Sequence, residues 1–207
     1  MTSIITGDII NSRKSKTAKT WLNTLKSELN EHGKTPRSWE IFRGDSFQLE
    51  IKKPEAALMA VLKIKARIAA IKNLNVRISV GIGEKTYNAS KITEANGDAF
   101  VRSGEAFEKL KTSRQTIMIA SPWTDFDYTI NTMLSLACIT IDTWSVTSAS
   151  FIATMLKYPN LSQKDIGRKM KITQSSVSER RKRSRYDEIM DMEAFYRHML
   201  TQTMKIP

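Results

Sequence analysis

Two sets of side chains in this 207-residue sequence have the types and spacing to do chemistry. The first is Gln174-Ser175-Ser176-Val177-Ser178-Glu179, followed at once by Arg180, Arg181, Lys182, Arg183 and, after one serine, Arg185. Amides and hydroxyls at the start of a helix can exchange hydrogen bonds with base edges, whereas guanidinium and ammonium groups neutralise phosphates. Gln174, Ser175, Ser178 and Glu179 are therefore the expected base readers on double-stranded DNA. Arg180, Arg181, Lys182, Arg183 and Arg185 are the expected phosphate contacts. The second set is Asp8, in ITGDII, and Asp45, in RGDSFQ. Two carboxylates that meet on adjacent strands can hold Mg²⁺ or Mn²⁺, and the ion in turn binds a triphosphate. Gly-Asp pairs also serve as turns at strand ends, so spacing alone leaves both uses open.

The charge distribution favours the first set. The formal net charge is +12, and residues 157–185 carry ten Lys or Arg against only Asp165 and Glu179. Such a block on a helix that comes after a cap suits the groove of a polyanion better than general solubility does. Other chemistries are poorly supported. Cys138 is the only cysteine and sits in an apolar run without Cys or His companions at zinc spacing, and His32 and His198 are equally solitary. Gly81-Ile82-Gly83 is too short for a dinucleotide fingerprint. No apolar run reaches the ~20 residues of a membrane span, and no secretory segment opens the chain. A cytoplasmic protein without a membrane partner is expected.

The elements that must position these residues are predicted from periodicity. Residues 2–10 form a short β-rich run broken at Gly7-Asp8 and followed by a polar turn, Asn11 to Ser15. Trp21, Leu22, Leu25 and Leu29 mark a helix closed by His32-Gly33 and Pro36. Trp39 to Ile51 reads as a hairpin with Asp45 at its tip. Pro54-Glu55 opens a second helix with a broad apolar stripe, Ala57 to Ile71. Val76 to Gly83 alternates as a half-covered strand, a helix spans Gly97 to Lys109, and a last strand runs from Thr116 to Ala120. Strands interleaved with helices predict one sheet with helices packed on it, an α/β sandwich of about 120 residues.

Beyond Pro122 the pattern is helical. Tyr128 to Ile141, capped by Asp127, is expected to link the two halves or pair two copies, and Trp144 to Leu156, capped by Asp142 or Thr143, to support the two short helices after it. Ser162 caps a helix from Gln163 to Met170, with Asp165 in a shortened capping box. Thr173 caps a second from Gln174 to Arg180, with Leu161, Ile166, Met170, Ile172 and Val177 facing inward. Two short helices joined by three or four residues make a helix-turn-helix. The predicted division is an α/β domain at 1–122, a linking or dimerisation helix at 123–142, and an all-α helix-turn-helix domain at 143–207.

Two resemblances add to this reading. ITQSSVSERRKR resembles the recognition helices of many bacterial regulators. ITGDIINSR, RGDSFQ and RISVGIG resemble segments of the SatD family and, more distantly, the catalytic palm of nucleotidyl and diguanylate cyclases, over roughly residues 3 to 110. That likeness implies a ferredoxin-like, cyclase-like palm in which Asp8 and Asp45 are the metal carboxylates and Ile9 and Ile10 lie near metal and phosphates. By proximity to these motifs, Ser12, Arg13 and Arg43 become candidate nucleotide contacts. The segment from Asn96 to Phe107 resembles the helix after the central strand, which adds Asp98, Arg102 and Ser103 and gives Gly104 a close helix-to-sheet contact. A cyclase also carries a base-reading pair and a late-helix Arg and Asn, for which Asn96 and Arg102 are the nearest matches, so no residue is assigned as catalytic.

The leading expectation is a DNA-binding transcriptional regulator, acting as a homodimer, whose α/β domain senses a nucleotide effector. The alternative is a metal-dependent nucleotidyl cyclase or nucleotidyltransferase with a DNA-binding tail.

Overall fold

The computed structural model describes residues 1–14 and 18–205; Ser15, at the end of the expected polar turn, lies outside them. Five strands form one sheet in the order β2-β3-β1-β4-β5. They are β1 (Thr2–Ile10), β2 (Trp39–Phe42), β3 (Ser46–Ile51), β4 (Asn75–Gly83) and β5 (Ile117–Ala120). β1 runs antiparallel to both β3 and β4, and β5 alone is parallel to its neighbour. β1 is not interrupted at Gly7-Asp8, since both residues pair with β3 and with β4, and a Cβ on Gly7 would lie 2.5 Å from the Phe47 ring. Glycine there lets β3 deliver that ring across the strand.

Alternation assigns the two faces of the sheet. Ile5 and Ile9 of β1, with Val76, Ile78, Val80 and Ile82 of β4, join the main core together with α1 (Ala18–Leu29) and α2 (Ala57–Ala69). The other face meets α3 (Asp98–Thr112), where Ile4 packs with Ile92 and Ala99. β4 is thus covered on both faces for most of its length, rather than half-covered. Ser79 is fully buried, and a Cβ on Gly81 would stand 2.1 Å from the Ala99 carbonyl. The close helix-to-sheet approach is made by Gly81 and Gly83 of the sheet. Gly104, expected to provide it, is exposed with nothing within 4 Å of its Cβ direction.

Five further helices complete the chain: α4 (Thr124–Ile141), α5 (Val146–Lys157), α6 (Gln163–Met170), α7 (Gln174–Arg183) and α8 (Tyr186–Thr203). Two expected caps move. Asp127 lies in the first turn of α4 and accepts from the Ser121 amide and hydroxyl at 2.9 and 2.6 Å, while Ser145 caps α5 by accepting from the Ser148 amide. α8 has no counterpart among the helices expected from periodicity. Its buried stripe is Tyr186, Ile189, Glu193, Tyr196 and Leu200, and the Tyr196 hydroxyl donates to the Pro54 carbonyl at 2.7 Å. The core therefore runs without a break from Ile5 in the sheet to Leu200 in the last helix.

One buried ionic cluster ties the helical part to the sheet. The Lys65 ammonium, with no solvent exposure, pairs with Asp142 at 2.6 Å and donates to Thr116 Oγ1 at 2.5 Å and the Val76 carbonyl at 2.9 Å. Thr116 in turn donates to both Asp142 oxygens at 2.7 and 2.8 Å. Burial pushes the Lys65 pKa down and the Asp142 carboxylate opposes that shift.

Candidate functional site

The end of β1 gathers the acidic motif. Asp8 faces Ser46 of β3 on one side and Arg77 of β4 on the other, and the Ile9 amide donates to the Asp45 carbonyl at 3.2 Å. Asp8 and Asp45 are thus brought to the same end of two paired strands. Arg77 holds Asp8 through both oxygens, Nε at 3.2 Å and Nη2 at 3.1 Å. Ser12, on a 3-10 turn after β1, donates to Asp45 Oδ2 at 2.5 Å. Arg13 is exposed on that turn, and Arg43 is exposed in the hairpin loop with a φ of 51°. Arg77 is not among the site residues expected from sequence. Its alternation is visible there, but its partner is set by the β1–β4 register.

The remaining expected nucleotide contacts lie elsewhere. Asp8 pairs with Arg77 while Gly83 pairs with Thr2, so the two ends of the β1–β4 ladder are separated by roughly 20 Å at 3.3 Å per residue. Arg102 donates to the Ile82 carbonyl at 3.0 Å, and exposed Asp98 stands 3.8 Å from it, both at the far end. Ser103 is fully buried and donates to Thr6 Oγ1 at 2.7 Å, which makes it a sheet-to-helix tie rather than a cleft residue. Among the described residues, no group of three or more His, Cys, Asp or Glu is placed to hold a metal ion. With Asp8 bound on both oxygens, the set does not fit a resident cation.

The second candidate site is the α6–α7 pair. Ser162 accepts from the Asp165 amide and donates to its carboxylate at 2.6 Å, and Thr173 accepts from the Ser176 amide. α6 ends on Lys171 in the left-handed conformation, with the Ile172 amide closing onto the Gly167 carbonyl at 2.9 Å. Ile166 and Val177 are fully buried, Met170 and Ile172 are half-buried against the core, and Leu161, expected inside, is exposed. The Trp144 indole donates to the Ser184 carbonyl at 3.2 Å and pins the end of α7.

On the outer side, Gln174, Ser175 and Glu179 are exposed and Ser178 is half-buried. A groove of about 430 Å³ runs past Gln174 and Thr173 to Lys164, Arg168 and Lys171. The five expected phosphate contacts divide. Arg180, Lys182 and Arg183 form no ion pair among the described residues, with Lys182 and Arg183 exposed. Arg181 is clamped by Asp187, with Nη2 at 2.5 Å, and lies 5.2 Å from the Tyr186 ring. Arg185 caps α8 in a left-handed conformation and pairs with Glu188 at 3.1 Å.

Among the described residues, no helix is long and apolar enough to cross a membrane. No curated protein and no solved structure matches the chain. A family model does match, over residues 3–190, which takes in all of the sheet but Thr2, the acidic strand end and both helices of the basic pair, and the chain belongs to the SatD family.

Proposed function

We propose that this protein is a cytoplasmic DNA-binding transcriptional regulator, with α6 and α7 as its helix-turn-helix and the sheet layer as a nucleotide-sensing domain. The observation that carries this reading is the division of α7. Val177 is buried, Gln174 and Ser175 stand exposed at a capped N-terminus, and Arg180, Lys182 and Arg183 come next without acidic partners among the described residues. That is the arrangement in which the first turn reaches base edges and later cations meet phosphates. Selection of binding sites from a random duplex pool tests it. Gln174→Ala is expected to change the preferred sequence, at about 1–3 kcal/mol per base pair read, while affinity for random duplex stays the same. An equal loss on all duplexes removes Gln174 from the readers.

A homodimer suits this role, since two copies present two α7 helices to two half-sites. Its support is α4, where Tyr128, Leu136 and Ile139 are 77 %, 65 % and 70 % exposed and no charged residue occurs from Tyr128 to Ile141. On a chain of net charge +12, that uncharged stripe is where a second copy meets least repulsion.

For the sheet, the antiparallel order β2-β3-β1-β4 supports a ferredoxin-like, cyclase-like palm with β5 added at its edge. Asp8 and Asp45 at one strand end support a metal-nucleotide ligand. Arg77 holds both oxygens of Asp8 and leaves Asp45 as the carboxylate that meets the ion. One carboxylate suffices to bind a metal-nucleotide, whereas a two-carboxylate clamp for turnover requires the guanidinium to leave Asp8, and this favours sensing. Incubation with nucleoside triphosphates and Mg²⁺ or Mn²⁺ is expected to give binding without product. EDTA abolishes that binding, and Asp45→Asn weakens it about tenfold. Product formation that Asp8→Asn and Asp45→Asn remove would establish the nucleotidyl cyclase or nucleotidyltransferase reading instead.

A further inference from the structure

Asp8 and Asp45 lie at one end of the central strands, and Asp8 points to the face that α3 covers, whereas α5, which touches α7 directly, packs on α2 across the opposite face. A ligand that is to act on α7 has a shorter route from that second side. A cleft of about 450 Å³ opens there between α1, α2 and α5, within the size range of small-molecule sites. We propose that this cleft binds a small organic phosphate and is the place where an effector touches the sheet layer and the support of α7 at once.

Three cations line the cleft: Lys63 and Arg67, one turn apart on α2, and Lys157 at the end of α5. Arg67 is aimed from beneath. Its Nη1 donates to Glu28 Oε2 at 3.0 Å, and Glu28 is 4 % exposed. The other Glu28 oxygen has no hydrogen-bond partner, and His32 Nε2 stands 3.7 Å from it, too far to supply one. Burial works against the Glu28 carboxylate, but Arg67 and the nearby His32 outweigh it and hold its pKa below the ordinary value, so the ion pair fixes the guanidinium against the cleft wall. Lys63 and Lys157 form no ion pair among the described residues. Glu31 at the wall and Glu28 below leave the lining one positive charge in excess, which a phosphate would offset. Ile71 and Ala153 supply an apolar wall that a bare ion cannot use. Bound phosphate would link α2 to α5 through Lys63, Arg67 and Lys157, and so set how α5 carries α7.

The test is isothermal titration calorimetry of the full chain in EDTA with adenosine monophosphate, ribose phosphate and inorganic phosphate. At least one organic phosphate is expected to bind in the millimolar range or tighter, about tenfold better than inorganic phosphate. The nucleotide binding alone identifies a nucleotide effector, and the sugar phosphate binding as well identifies the phosphate and its ribose as the recognised part. Lys63→Gln and Lys157→Gln, both at solvent-reachable positions, should each weaken binding about tenfold. Silence from both organic phosphates, equal binding of inorganic phosphate, or indifference to both lysine variants overturns the proposal. Because EDTA is present throughout, this outcome is separate from the metal-dependent test of Asp8 and Asp45.

Discussion

Replacing Arg180, Lys182 and Arg183 together with alanine is expected to reduce affinity for specific and random duplex alike by about a hundredfold at low salt, at roughly 1 kcal/mol per lost phosphate contact. The slope of log affinity against log salt should flatten by about 2.7, because each neutralised phosphate contributes about 0.9 through counterion release. Fluorescence anisotropy across a salt series measures both quantities. Arg181→Ala is the internal control. With its guanidinium bound to Asp187 and stacked by Tyr186, Arg181 is spent on the α7–α8 junction, and its removal should leave the slope unchanged. A slope that falls as much for Arg181→Ala as for one of the free cations would show that Asp187 releases it on DNA. A triple variant with an unaltered slope would remove α7 from the interface.

Asp142→Ala should lower stability by about 3–5 kcal/mol at neutral pH, the range for leaving a buried charge without its partner. Lys65 would then keep only the neutral Thr116 hydroxyl and Val76 carbonyl in a site without solvent access. The loss should depend on pH with a defined sign. Burial already holds the folded-state pKa of Lys65 below its ordinary 10.5, so between those two values the unfolded chain binds the extra proton and stability rises with pH. Removing Asp142, which opposes the depression, widens that window, and the variant should recover more stability than the parent as pH rises through it. Urea unfolding at neutral and alkaline pH measures both effects. Adding Lys65→Met to Asp142→Ala should recover most of the loss, since an apolar side chain of similar volume needs no partner there. A deficit below about 1 kcal/mol that does not change with pH would mean the ammonium is not held by Asp142.

How legible each element is in the sequence depends on the range of its interactions. Ser162 and Thr173 are recognisable as caps because each bonds an amide three residues on, so the whole interaction lies within one turn of sequence. The β-strands show in their alternation, and α1 to α3 in their apolar stripes. α8 escapes because polar-tipped Tyr186, Glu193 and Tyr196 alternate with Ile189 and Leu200 along its buried stripe and look like a solvated tail until the Tyr196 hydroxyl reaches Pro54 and Arg197 pairs with one Glu193 oxygen. The starts of α4 and α5 are harder: Asp127, the candidate for the first, falls inside a helix that already begins at Thr124, and of the two candidates for the second Asp142 is taken by the buried Lys65 while Ser145 makes the cap.

The candidate sites divide on the same line. Sequence by itself determined most of the elements, the separation of an amide- and hydroxyl-bearing first turn from a cationic end along α7, and the two aspartates at strand ends, since each depends on neighbours a few residues away. Only the tertiary structure decided which of these groups meet. The β1–β4 register sets Arg77 on Asp8 across 69 residues and sends Asp98 and Arg102 to the far end of the ladder. The fold of α8 takes Arg181 and Arg185 away from the free cations, and the packing of α5 on α2 creates the cleft over Arg67. Those pairings depend on strand register and helix packing, whose free energy comes from burying whole faces rather than from any local preference of the residues that end up in contact.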